Sequence, residues 1–150
     1  MHIAIVFSTD INNWLPVRVC MESVMSNINK NVEVLFYVLH DNSADDIKKK
    51  TISNIQDFYS NCKIKFINAN DDFIGAYAPE LEENIPSNST YFRLKIPSYL
   101  ADEDKCLYLD TDTIVCSDIS LLFEKDFYIS IFMGSKMYFL MPDIKIMTNL

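Results

Sequence analysis

The sequence predicts an α/β domain built on a mostly parallel sheet flanked by helices. Three observations carry this. A short, continuous apolar run rich in β-branched residues occurs at 3–7, as a strand buried on both faces requires, and mainly apolar strand segments follow at 32–39 and 64–67. Between them, apolar residues recur at helical spacing. The resulting β-α-β-α-β order feeds parallel strands through right-handed crossovers. With 150 residues, 49% of them hydrophobic, the chain suits one domain that hides about two-thirds of its unfolded surface.

Taken in order, residues 3–7 form the first strand, followed by a polar stretch at 8–13. Pro16 fits the first turn of a helix, and Val17, Cys20, Met21, Val24 and Ile28 give that helix one apolar face. Residues 32–39 form the second strand. Ser43 with Asp46 makes a capping box for a second helix marked by Ile47, Thr51, Ile55 and Phe58. Residues 64–67 form the third strand. A long polar loop spans 68–88 and contains Asp71, Asp72, Pro79, Glu82, Glu83 and Pro86; loops of that length in compact domains are usually functional. Residues 90–100 read as a short helix distorted at Pro97. Residues 106–109 form a fourth buried strand ending in Asp110, Thr111 and Asp112, with Ile114 and Val115 extended beyond. Ser117 and Asp118 cap a turn through Leu122 and Phe123, and 129–132 form a fifth strand.

Composition excludes several functions. The formal net charge is −8 and the only arginines are Arg18 and Arg93, whereas a nucleic-acid binder needs a basic stripe to replace counterions. Lys48, Lys49 and Lys50 read as a solvated helix face. Cys20, Cys62, Cys106 and Cys116 form no C-x-x-C pair and read as scattered buried thiols in a reducing compartment. The two histidines, His2 and His40, make a histidine-rich zinc site improbable. No apolar run reaches the roughly 18 residues of a membrane span; the best, 128–142, is interrupted by Ser130, Gly134, Ser135 and Lys136. The N-terminus reads as a buried strand and not a signal peptide. The expected location is the cytoplasm, or a membrane surface reached through a partner. Gly75 and Gly134 are the only glycines, so neither G-x-G-x-x-G nor a Walker loop is present. A nucleotide diphosphate would have to be met by a metal ion, by side chains, or by both.

Open α/β sheets bind ligands at the carboxyl ends of their strands. Two polar clusters fall there: Ser8, Thr9 and Asp10 after the first strand, and Asp110, Thr111 and Asp112 after the fourth. If the second cluster is extended, residues i and i+2 point the same way, and Asp110 and Asp112 converge on one cation. Mg²⁺ or Mn²⁺ pairs one or two carboxylates with substrate phosphates.

The run from Asp104 through Leu107, Tyr108, Leu109, Asp110, Thr111 and Asp112 to Val115 resembles the D-x-D segment of family 8 glycosyltransferases. Three more segments agree in order: Ile5 to Asp10 with the family's first strand and uridine loop, Thr90 to Pro97 with the helix bearing a donor-contacting cation, and Ser117 to Phe123 with the stretch after the metal motif. The resemblance implies the GT-A fold, a Rossmann-like α/β sandwich. It implies transfer of a hexose from a nucleotide sugar, usually UDP-linked (UDP-glucose or UDP-galactose), with retention, to a glycan or lipopolysaccharide-type acceptor. Asp110 and Asp112 would bind Mn²⁺ or Mg²⁺. Asp10 would hold the uracil, with Ser8, Thr9, Asn12 and Asn13 in the same loop. Thr111 lies where the family's backbone touches the ribose, and Arg93 matches the catalytic cation that contacts the donor and steadies developing charge.

Two departures stand out. Asn13 occupies a position where the family often has a Tyr that stacks on the base; Trp14 is the adjacent ring. The family's later acceptor segment, Asp-Gln-Asp-like element and C-terminal His ligand have no match after Phe127. Residues 1–150 thus read as a single nucleotide-sugar-binding domain, incomplete at its carboxyl end. Two alternatives remain. One is a donor-binding domain with little or no transfer activity. The other is a haloacid dehalogenase-type phosphatase, whose D-x-D motif needs Thr or Val where Ile114 stands and more chain than 113–150.

Overall fold

The computed structural model describes residues 1–41, 44–69, 89–124 and 146–148. Its centre is a four-stranded parallel sheet of β1 (His2–Thr9), β2 (Glu33–His40), β3 (Cys62–Asn68) and β4 (Cys106–Tyr108), in the order β3-β2-β1-β4. Ile3 pairs with Val34 and Ile5 with Leu107, so β1 lies between β2 and β4.

The apolar runs of β1 and β2 are explained by burial on both faces, whereas β3 lies at the sheet edge with Lys63 and Lys65 exposed. Successive side chains alternate across a strand. Ile3, Ile5 and Phe7 join Val34, Phe36 and Val38 on one face, packed against Val17, Cys20, Met21 and Val24 of α1 (Trp14–Asn27). Ala4, Val6, Leu35, Tyr37 and Leu39 occupy the other face with Phe92, Ile96 and Leu100. Replacing one of the fully buried pair Phe7 or Phe36, whose rings lie 5.8 Å apart, with Ala should cost about 3–5 kcal/mol.

Local structure departs from the sequence expectations in several places. α1 ends at Asn27, and Ile28 is already extended. α2 (Asp46–Ser53) is capped by Asp45, whose carboxylate accepts from the Lys48 amide at 2.8 Å; Ser43 lies outside the described residues and is not the cap. α2 buries Ile52, and Ile55 follows in a 3-10 turn, while Ile47 and Phe58 are 78% and 75% exposed. The face that α2 buries is centred on Ile52 and not on the expected stripe of Ile47 and Thr51, and the helix tightens into a 3-10 turn after Ser53. The expected helix at 90–100 is three pieces: α3 (Ser89–Phe92), a 3-10 turn (Arg93–Lys95) and α4 (Ile96–Tyr99). Pro97 opens α4 in the first-turn position that needs no amide donor, so the distortion precedes it. Only two of the four thiols are buried: Cys20 and Cys62, which burial pushes up to about 12. Cys106 and Cys116 are exposed, and all four are free.

Asp118 does cap its turn, accepting from Ser120 N at 2.9 Å, and its second oxygen accepts from Asn29 N. β5 (Thr113–Val115) leaves the main sheet. It pairs antiparallel with β6 (Ile146–Thr148), a strand with no counterpart in the sequence reading. β5 is held against α1 by Val115 N donating to Ser23 Oγ and Asn27 Nδ2 donating to Val115 O. The loop at 70–88 and the expected strand at 129–132 lie outside the described residues. Among the described residues, no helix is long and apolar enough to cross a membrane.

Candidate functional site

The chain runs β1, β2, β3 towards one edge and then returns to place β4 on the opposite side of β1. That reversal makes the crevice between the carboxyl ends of β1 and β4 a topological switch point, where open α/β sheets hold ligands. A cleft of about 240 Å³ lies there, lined by Ser8 at the end of β1 and Asp10 and Asn13 just after it, by Ser89, Thr90 and Arg93, and by Tyr108, Asp110, Thr111 and Asp112.

The first wall is organised by Asp10. Its Oδ1 accepts from the Asn12 amide at 2.9 Å and from Asn13 Nδ2 at 2.8 Å, while its carbonyl accepts from the Asn13 amide. The carboxylate thus folds the turn that leads β1 into α1. Asn13 is drawn back onto Asp10. Thr9 is fully buried and its hydroxyl donates to the Asp10 carbonyl; Asn12 is exposed. Neither lines the cleft. Trp14 does not offer a ring for stacking on a base: it is 4% exposed and packed against His40 and Phe66.

The opposite wall follows β4. Leu109 N still donates to the Val6 carbonyl at 3.0 Å, and Thr113 N then donates back to the Asp110 carbonyl at 3.2 Å. Asp110, Thr111 and Asp112 therefore sit in a turn between β4 and β5. The strand alternation invoked for the two carboxylates does not apply. What brings Asp110 and Asp112 to the cleft is turn geometry. Their oxygens suit a hard divalent cation. Among the described residues no group of three His, Cys, Asp or Glu could hold a metal, so such an ion would lean on oxygens of its ligand.

Arg93 bridges the walls. Its Nε donates to the Thr90 carbonyl at 2.8 Å, its guanidinium lies 5.6 Å from the Tyr108 ring centroid, and Nη1 stands 3.9 Å from Asp110 Oδ1. Burial, and after it the Asp110 carboxylate, pushes the Tyr108 hydroxyl well above its ordinary range, so Tyr108 stays neutral. Three carboxylates and one guanidinium thus line one space.

A sequence model described as glycosyl transferase family 8 matches residues 4–139. The chain belongs to this family. Among relatives of the family 8 chain, General stress protein A of Bacillus subtilis (strain 168) is 27% identical over 106 residues, covering 69% of this chain and 35% of that protein. Among solved structures, the galactosyltransferase LgtC in complex with donor and acceptor sugar analogs superposes with a TM-score of 0.68 at 30% identity, covering 83% of this chain and 43% of that one. The apo bifunctional glycosyltransferase WbbM gives 0.69 at 24% identity, covering 83% of this chain and 21% of that one. The family 8 chain therefore has the GT-A fold, and it spans well under half the length of these proteins.

Three lining residues, Ser89, Thr90 and Tyr108, are not among the site residues that the sequence predicts. Thr90 contributes its carbonyl, which accepts from Arg93 Nε. Tyr108 is the last residue of β4, where a ring can support a cation at the cleft. Ser89 carried no signal beyond its place just before the Arg93 segment. Its serine hydroxyl donates to Asp10 Oδ2 at 3.5 Å.

Proposed function

We propose that this family 8 chain forms the donor side of a metal-dependent, retaining hexosyltransferase. Its donor is a nucleotide sugar, UDP-glucose or UDP-galactose, and its acceptor a glycan or lipopolysaccharide-type saccharide. The observation that carries this reading is the charge balance of the cleft: three carboxylates face one guanidinium. A diphosphate cannot enter that field unaided. Asp110 and Asp112 would hold Mn²⁺ or Mg²⁺, which when bound supplies positive charge that stabilises the departing diphosphate.

The chain's own residues have distinct tasks in this reading. Arg93, steadied by the Thr90 carbonyl and the Tyr108 ring, offers a fork of donors to phosphate or sugar oxygens. Asp10, with Asn12 and Asn13, shapes the turn that meets the base, and Ser8 and Thr9 fix the end of β1 beneath it. Thr111 presents backbone towards the ribose. Two exposed free thiols, Cys106 and Cys116, fit a reducing compartment and support a cytoplasmic location, peripheral to a membrane where the acceptor is lipid-linked.

Calorimetry of the chain with UDP, GDP and ADP, each with and without Mn²⁺, tests the reading. UDP binding that strengthens with Mn²⁺ is the expected result. Absence of any nucleoside diphosphate binding in the presence of the ion would overturn it. Mn²⁺-supported UDP binding without transfer from UDP-hexoses would favour the second reading, a donor-binding domain with little activity.

A further inference from the structure

The helix that brings Arg93 to the cleft is a single turn, Ser89–Phe92, followed by the 3-10 turn Arg93–Lys95. One turn has no stability of its own, so other contacts must fix it. Phe92, fully buried in the core, holds its carboxyl end. Two contacts hold its start to the end of β1. Ser8 Oγ donates to the Ser89 carbonyl, and Ser89 Oγ donates to Asp10 Oδ2 at 3.5 Å. The partners are 81 and 79 residues apart in sequence. Ser8, Ser89 and Asp10 are all buried at the floor of the cleft, where few waters reach them. Asp10 Oδ1 meanwhile organises the turn after β1. One carboxylate thus couples the turn after β1 to the Arg93 helix.

We propose that Ser89 is a positioning residue for donor binding: it clasps the Arg93 helix to the Ser8–Asp10 corner and so fixes where the guanidinium meets the diphosphate. This rests on reading the cleft as the donor site. Ser89 touches no reacting atom; it acts through Asp10 and Arg93. Loss of its hydroxyl leaves a buried carboxylate short of a donor and loosens the helix start. The Ser8 bond to the Ser89 backbone survives that change, so the effect is partial. Threonine keeps the hydroxyl.

Two measurements on Ser89→Ala, Ser89→Thr and Arg93→Ala test the clasp. In the ligand-free chain, Ser89→Ala should speed amide exchange across residues 89–96 by at least about fivefold while β1 and β2 amides stay unchanged. Ser89→Thr should stay near the parent. In calorimetry with UDP and Mn²⁺, Ser89→Ala should weaken binding by about 3- to 10-fold, and by less than about twofold in the Arg93→Ala background, because the two changes act on one contact. Unchanged exchange at 89–96, or equal weakening in both backgrounds, overturns the proposal. If the parent chain binds no UDP, the donor-site reading falls, while amide exchange still decides the clasp. Should Ser89→Ala not fold, Ser8→Ala breaks the other half of the clasp and carries the same expectations.

Discussion

Arg93 Nη1 stands 3.9 Å from Asp110 Oδ1, across the cleft between the α3 segment and the turn after β4. The Asp110 side chain is 49% exposed and Arg93 24%. At that distance and exposure the pair is screened by water and adds little to stability, since exposed pairs contribute about 0–1 kcal/mol. Its importance lies in placement. The one guanidinium lining the cleft sits beside one of the two carboxylates expected to hold a cation, so cation and diphosphate would meet where Arg93 already points.

Arg93→Ala should therefore separate stability from binding. The denaturation midpoint should barely move. UDP affinity in the presence of Mn²⁺ should fall roughly 10- to 150-fold, the loss of a charge-assisted contact worth about 1.5–3 kcal/mol. An unchanged affinity would assign Arg93 to packing on Tyr108.

Asp110→Asn and Asp112→Asn should each change the sign of their effect with the ion. With Mn²⁺ present, UDP affinity should drop at least about tenfold, the scale on which even outer partners of metal ligands count. Without divalent ions, the same variants should bind UDP slightly better than the parent, because one of three repelling carboxylates is gone. Calorimetry in chelator and in Mn²⁺ reads both arms. Weakening of equal size under both conditions would mean that the carboxylates shape the turn and do not hold an ion.

His40 should set the stability profile between neutral and mildly acidic pH. It is 4% exposed at the end of β2, and its ring lies 5.9 Å from that of Trp14. Burial lowers its pKa from the ordinary 6.5, against the raising effect of the Asp41 carbonyl, with Lys49 assisting. The unfolded chain therefore takes up this proton near pH 6.5, and the folded chain only at lower pH. Stability from a neutral His40 is complete above that value and is lost as pH falls, by at most about 1.4 kcal/mol per pH unit. Denaturant melts from pH 8 to 5 should show the decline, and His40→Gln should flatten it. A parent profile that is flat down to pH 5 would contradict the argument.

The centre of the sheet was legible because β1 and β2 are buried on both faces, which writes apolar runs such as Ile3 to Phe7 into the sequence. The two polar corners that line the cleft were legible for the same reason: polar residues following such runs mark strand ends. What was not legible depended on tertiary contacts. Ile47 and Phe58 have helical spacing, but α2 buries only Ile52, which leaves Ile47 outward, and the chain leaves the α-helix at Ser53 before it reaches Phe58. Asp110 and Asp112 looked alternately placed along a strand, yet the Thr113 amide folds them into a turn. Ser89 meets Asp10 only because residues 79 apart are brought to one strand end. No local pattern encodes that meeting.

The 150-residue chain by itself should bind UDP with Mn²⁺ and transfer sugar slowly or not at all. Residues from three segments already converge on the cleft read as the donor site: the turn after β1, the Arg93 helix and the Asp110–Asp112 turn. Two carboxylates and a diphosphate can hold a divalent ion, although more loosely than a site with a further protein ligand. Transfer asks for more. The acceptor hydroxyl has to be held at the anomeric carbon, and such positioning supplies roughly 7–11 kcal/mol of barrier lowering. The chain covers 35% of General stress protein A and 43% of LgtC. Slow hydrolysis of a UDP-hexose is then the most this chain should manage, since water needs no positioning site. Calorimetry with UDP, beside a product assay with UDP-glucose, UDP-galactose and simple sugar acceptors, checks both halves. Multiple rapid turnovers to a sugar acceptor would place acceptor binding within these 150 residues and refute the prediction.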